Sequence, residues 1–87
     1  VVKATAAFYD ISEASIFEKT RRKEVVRPRQ IAMYILREDC GLSFPLIGEK
    51  LGGRDHTTVL HSYEKIKNEL KTDVMLDQDI VQIRAML

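Results

Sequence analysis

The sequence predicts an all-α fold, a bundle of about six helices that contains a helix-turn-helix. Three observations predict it. Apolar residues recur at helical spacing through most of the 87 positions, no apolar run alternates with period two, and Gly52-Gly53 separates a two-turn periodic segment from a longer one. A chain of this length has material for one small core, and so for a single domain over residues 1–87.

Taken in order, Val1 to Tyr9 has helical character, and its abrupt start is expected of an element cut from a longer protein. Ser12 precedes Glu13, Ile16 and Phe17 as a serine cap precedes a short helix. Residues 20–24, TRRKE, have no apolar member and read as a loop. Pro28 suits the first turn of a third helix, where its missing N–H is no loss, and Ile31, Ala32, Ile35 and Leu36 form a core-facing stripe that Gly41 ends. Ser43, Pro45, Leu46 and Ile47 start a fourth helix of two turns that stops at Gly52-Gly53. A fifth runs from about Asp55 to Leu70 with Val59, Leu60, Tyr63, Ile66 and Leu70 along one face. Thr72 or Asp73 caps a sixth, carried by Leu76, Ile80, Ile83 and Leu87.

Composition narrows the function classes. No apolar run approaches the length of a membrane span and no signal peptide opens the chain, so a soluble protein is expected, and the single cysteine suggests a reducing cytoplasm. Cys40 is the only cysteine, which excludes an internal disulfide; it reads as a small, partly buried residue at a helix end. The net charge of +1 is modest but unevenly spread. Lys19, Arg21, Arg22, Lys23, Arg27, Arg29 and Arg37 face the single acid Glu24 in their segment, while Asp73, Asp77 and Asp79 lie near the end. Phosphate binding responds to the local field, so a basic side remains compatible with a nucleic-acid partner.

The most informative stretch is Arg54-Asp55-His56-Thr57-Thr58, at the start of the fifth helix. One first-turn acid or cap is explained by the unpaired N–H groups of a helix start. A cap accounts for Asp55 and leaves the other four polar residues unexplained. In a helix-turn-helix the N-terminal residues of the second helix meet base edges in the major groove, where Asp accepts from the cytosine amino group and Thr offers a hydroxyl or a methyl. Enzyme readings are weaker. His56 and His61 stand about 140° apart on a helix, unlike a zinc-protease pair, and no G-x-x-x-x-G-K-[ST] phosphate loop is present. His61 reads as a helix-flank residue near the core.

Gly52-Gly-Arg-Asp-His-Thr-Thr-Val-Leu-His61, with Arg27-Pro-Arg-Gln-Ile-Ala-Met33 and Ser43-Phe-Pro-Leu-Ile-Gly48, resembles the C-terminal DNA-binding domain of the bacterial chromosomal replication initiator family, DnaA. The resemblance covers essentially the whole chain. It implies a six-helix domain that binds TTATNCACA-type repeats in double-stranded origin DNA, at replication origins and some promoters, in the cytoplasm at the nucleoid. It also implies an ATP-binding AAA+ module upstream, joined through residues 1–10 as a connector helix. This domain would itself hold no cofactor and have no enzymatic activity. Other initiator molecules on adjacent boxes would be met through domains outside this chain, and one monomeric domain would occupy each asymmetric box.

Residue by residue, the resemblance puts Asp55, His56 and Thr57 at base-contacting positions in the major groove, with Phe44 and Pro45 beside them. The family position seven residues before the proline, which enters the minor groove, falls on Arg21, with Arg22 the neighbouring register. Arg22, Lys23, Arg29, Gln30, Arg37, Ser43, Arg54, Thr58 and Lys65 fall at or near phosphate-contacting positions. Phe44 replaces the more usual leucine. Two other readings stay open: a protein-interaction module whose basic segment docks on an acidic regulator, and side binding to acidic phospholipids, to which the family is linked.

Overall fold

The computed structural model describes residues 1–87 and contains six helices: α1 (Val2–Phe8), α2 (Glu13–Phe17), α3 (Lys23–Glu38), α4 (Phe44–Lys50), α5 (His56–Glu69) and α6 (Val74–Ala85). Local chemistry sets several of the starts. Ser12, Ser43 and Asp73 accept side-chain hydrogen bonds from the N–H groups of Ser15 (3.1 Å), Leu46 (3.3 Å) and Leu76 (3.0 Å). Each satisfies one otherwise unpaired donor at the head of α2, α4 or α6. Asp73, not Thr72, is thus the cap of α6.

Helical spacing turns the apolar stripes into two clusters, and both α3 and α5 belong to each. Met33 and Leu36 of α3 and Val59 of α5 join Ala6, Ile16, Ile47 and Leu51 in the first. Ile31 and Ile35 of α3 and Ile66 of α5 join Leu76, Ile80 and Ile83 in the second. The two long helices therefore form a spine with α2 and α4 on one side and α6 on the other. Full burial of a side chain such as Ile31 or Ile66 contributes about 1.5–3 kcal/mol.

Residues 1–10, expected as a connector, form α1 and its exit, packed into the bundle with Thr5 and Ala6 buried. The Tyr9 hydroxyl donates to Asp79 Oδ2 at 3.1 Å and ties this end to α6. Burial, followed by the Asp79 charge, pushes the Tyr9 phenol above its ordinary pKa. A raised phenol pKa gives stability that is complete below about pH 10 and lost as pH rises through the folded-state value. In thermal melts between pH 8 and pH 11.5, the melting temperature of Tyr9→Phe should fall less steeply above pH 10 than that of the parent. A residual fall is expected, because Tyr63 is also pushed up, to about 12, chiefly by its hydrogen bond to Glu38. Parallel curves would exclude a contribution from Tyr9.

Four sequence expectations are corrected. The third helix starts at Lys23, so Lys23 and Glu24 leave the expected loop and Pro28 lies inside the helix, not in its first turn. The extra turn forms because Val25 is buried, and the Arg22 carbonyl accepts from the N–H groups of Val25 and Val26 at 3.0 and 2.9 Å. Cys40 is exposed: beyond Gly41, with φ of 65°, it is Leu42 that packs against the core. His61 is also exposed, about 200° around α5 from buried Val59. Leu87 lies beyond α6 and is exposed, so Leu76, Ile80 and Ile83 alone carry that stripe.

Candidate nucleic-acid interface

The turn between α4 and α5 is shaped by glycine and closed by backbone. Gly52 and Gly53 have φ of 87° and 75°, a region open to glycine and costly for other residues. The Arg54 N–H then donates back to the Gly48 carbonyl at 2.8 Å. At Gly48 the chain passes so close that a Cβ would overlap the Arg54 carbonyl oxygen. These constraints fix where α5 begins.

Asp55 is the N-cap residue of α5 by backbone position, yet its side chain accepts no cap hydrogen bond. Its Oδ1 lies 3.2 Å from His56 Nδ1, and both side chains are about two-thirds exposed, at 66% and 63%. Thr57 and Thr58 follow, also exposed. The structural explanation for Asp55 is therefore not used by its carboxylate, and four consecutive side chains, with the free N–H groups of the helix start, face solvent. Beside them, at the head of α4, Ser43 and Pro45 are exposed as well.

Phe44 is half-buried and its ring is already engaged. The Arg37 guanidinium carbon sits 4.4 Å from its centroid and the Tyr63 ring 5.4 Å away, while Arg37 Nη1 donates to the Leu42 carbonyl at 3.0 Å. Phe44 and Arg37 thus hold one another beside the α4 start, and Pro45 is the more exposed of the two residues expected at bases.

On another side, Lys23, Gln30 and Lys65 line one cleft of about 600 Å³ with Tyr9, Arg27 and Pro28. Arg27 is paired with Glu69 at 2.9 Å and approaches Asp73 at 3.9 Å, whereas Lys23 and Lys65 have no ion-pair partner. Three of the expected phosphate ligands are therefore brought together, with both lysines free to meet an anion. In the loop before α3, Arg21 and Arg22 are exposed; Arg22 Nε lies 3.5 Å from Glu24 Oε1, and Arg21 is unpaired.

Arg29 and Arg54 depart from the expectation of open phosphate ligands. Arg29 is only 7% exposed, and its guanidinium donates to the carbonyls of Ile16, Glu18 and Thr20. Desolvation, then the neighbouring Arg54 charge, lowers its pKa. Arg54 is half-buried, with donors on the Glu18 and Leu51 carbonyls, and desolvation lowers its pKa too. The sequence reading missed this carbonyl cage. The available signal was that Arg29 stands four residues after Val25 and four before Met33, on the inward face of α3.

Residues 1–66 match the family model described as the bacterial DnaA protein helix-turn-helix. The chain belongs to the DnaA family. It is 48% identical over all 87 residues to the chromosomal replication initiator protein DnaA of Thermomicrobium roseum, covering 19% of that protein. The same protein of Limosilactobacillus reuteri is 49% identical over 87 residues with 20% of its length covered, and that of Roseiflexus castenholzii 42% with 18%. The chain thus spans about a fifth of the length of these DnaA relatives. Its all-helical architecture fits the helix-turn-helix DNA-binding domain of DnaA, and none of its helices is long and apolar enough to cross a membrane.

Proposed function

We propose that this domain recognises TTATNCACA-type boxes of replication origins in double-stranded DNA. The observation that carries the reading is the exposed Asp55 carboxylate at the head of α5, which makes no cap bond. Beside phosphates an acid is unfavourable, so its use there requires a specific donor, and cytosine N4 offers one. In this reading Asp55, His56, Thr57 and Pro45 meet base edges in the major groove, and Arg21, free of any acid, enters the adjacent minor groove. Arg22, Lys23, Gln30, Ser43, Thr58 and Lys65 hold phosphates and set the register. The longer protein would bind ATP in another domain and assemble on neighbouring boxes, with one copy of this domain per box.

The test is a fluorescence titration with a labelled TTATCCACA duplex and a scrambled one. The box should bind more tightly, and with about six phosphates neutralised, log K should fall with log salt at a slope of about −5. Asp55→Ala should weaken the box by about 1–3 kcal/mol and relax preference at one C·G pair. Because no cap bond is lost, folding stability should change by less than about 1 kcal/mol. Equal loss on box and scrambled DNA would count against base reading by Asp55. No preference of the parent domain at moderate salt would favour docking on an acidic protein instead.

A further inference from the structure

The loop that bears Arg21 and Arg22 leaves a helix of only five residues, α2, whose last carbonyls have no partner within the helix. Two guanidinium groups take up one of them, Ile16 O, with the carbonyls of the C-cap Glu18 and of Thr20 beyond it. Arg29 donates from Nε to Ile16 O at 2.9 Å, from Nη2 to Glu18 O at 2.6 Å and from Nη1 to Thr20 O at 3.3 Å. Arg54 donates from Nη2 to the same Glu18 O at 2.5 Å, and from Nη1 to Leu51 O at the end of α4. The turn itself leans on this point, since a Cβ at Gly52 would lie 2.5 Å from Phe17 O. Two like charges converge here because the carbonyl end of α2 presents partial negative charge to both and that of α4 to Arg54.

We infer that Arg54, with Arg29, is a positioning residue that locks the basic loop onto the turn before α5, so that the minor-groove and major-groove readers meet DNA as one rigid unit. The inference rests on the two-groove reading proposed above. Its physical content is preorganisation: the backbone of residues 19–22 is ordered by folding, and that entropy is not lost again on binding. A lysine cannot do the same, because one ammonium on a flexible stem cannot bridge Glu18 O and Leu51 O as a planar fork does. A phosphate ligand, by contrast, tolerates lysine.

Arg54→Lys is therefore the deciding variant, with Arg54→Gln as a second in case the first folds poorly. Without DNA, backbone amide order parameters at Lys19–Arg22 should fall from rigid values of about 0.85 to below about 0.6, while those of α3 in the same sample stay unchanged. With DNA, a scan of single base-pair changes through the box should show Arg54→Lys losing discrimination at the positions lost in Arg21→Ala, and keeping it at those lost in Asp55→Ala. Unchanged loop order parameters would overturn the inference. So would an even loss at all positions with a salt slope shallower by about 1, the signature of a phosphate contact. Absence of any box preference in the parent domain overturns the two-groove reading itself, whereas parental preference with an unaltered Arg54→Lys profile overturns the coupling alone.

Discussion

Replacing Gly48 by alanine should destabilise the domain by about 3 kcal/mol, against the usual preference of a helix for alanine over glycine by about 1 kcal/mol. The sign reverses because the added Cβ would overlap the Arg54 carbonyl oxygen, a backbone atom that cannot rotate away. Relief requires α4 and the turn to separate, which breaks the bond from Arg54 N–H to Gly48 O and displaces Asp55 from its place at the helix start. For a domain of this size the melting temperature should drop by roughly 12–24 °C, measurable by circular dichroism. A melting temperature equal to or above that of the parent would refute the close approach.

Arg29→Ala should cost a similar amount, about 3 kcal/mol, because it strips charged donors from the carbonyls of Ile16, Glu18 and Thr20 and leaves a cavity under the loop. Urea denaturation of the free domain measures it. The outcome separates two roles for one side chain. A phosphate ligand would leave the urea midpoint unchanged and make the salt slope of binding shallower by about 1, and that result would sink the buried-cage role. Arg29→Lys should recover little of the loss, since an ammonium cannot reach three carbonyls spread along the loop.

The helix-turn-helix was legible because its signals are local: Ser43 and Pro45 open α4, Gly52-Gly53 supply left-handed backbone, and polar residues crowd the next helix start. The stripes of α3 and α5 were legible for the same reason, as spacing alone puts Ile31, Ile35, Val59 and Ile66 inward. What escaped was set by contacts distant in sequence. Arg29 belongs by its charge to the basic segment and by the resemblance to the phosphate-contacting positions, while its place in the stripe obeys the core, and only the folded loop supplies the carbonyls that make this tolerable. Pro28 was read as a helix start although Val25, three residues earlier, already belonged to the buried face. Of the candidate site, the exposed run Asp55–Thr58 was readable from residue types. That the Asp55 carboxylate would make no cap bond was not, because a cap and a base reader look alike in sequence.

The spine arrangement has a consequence for how the domain comes apart. Since α3 and α5 each wall both apolar clusters, parting these two helices would open both clusters together. Unfolding that separates α3 from α5 therefore cannot leave α5 supported on either side. A molecule whose spine has parted has lost the footing of the Asp55–Thr58 run together with both halves of its core.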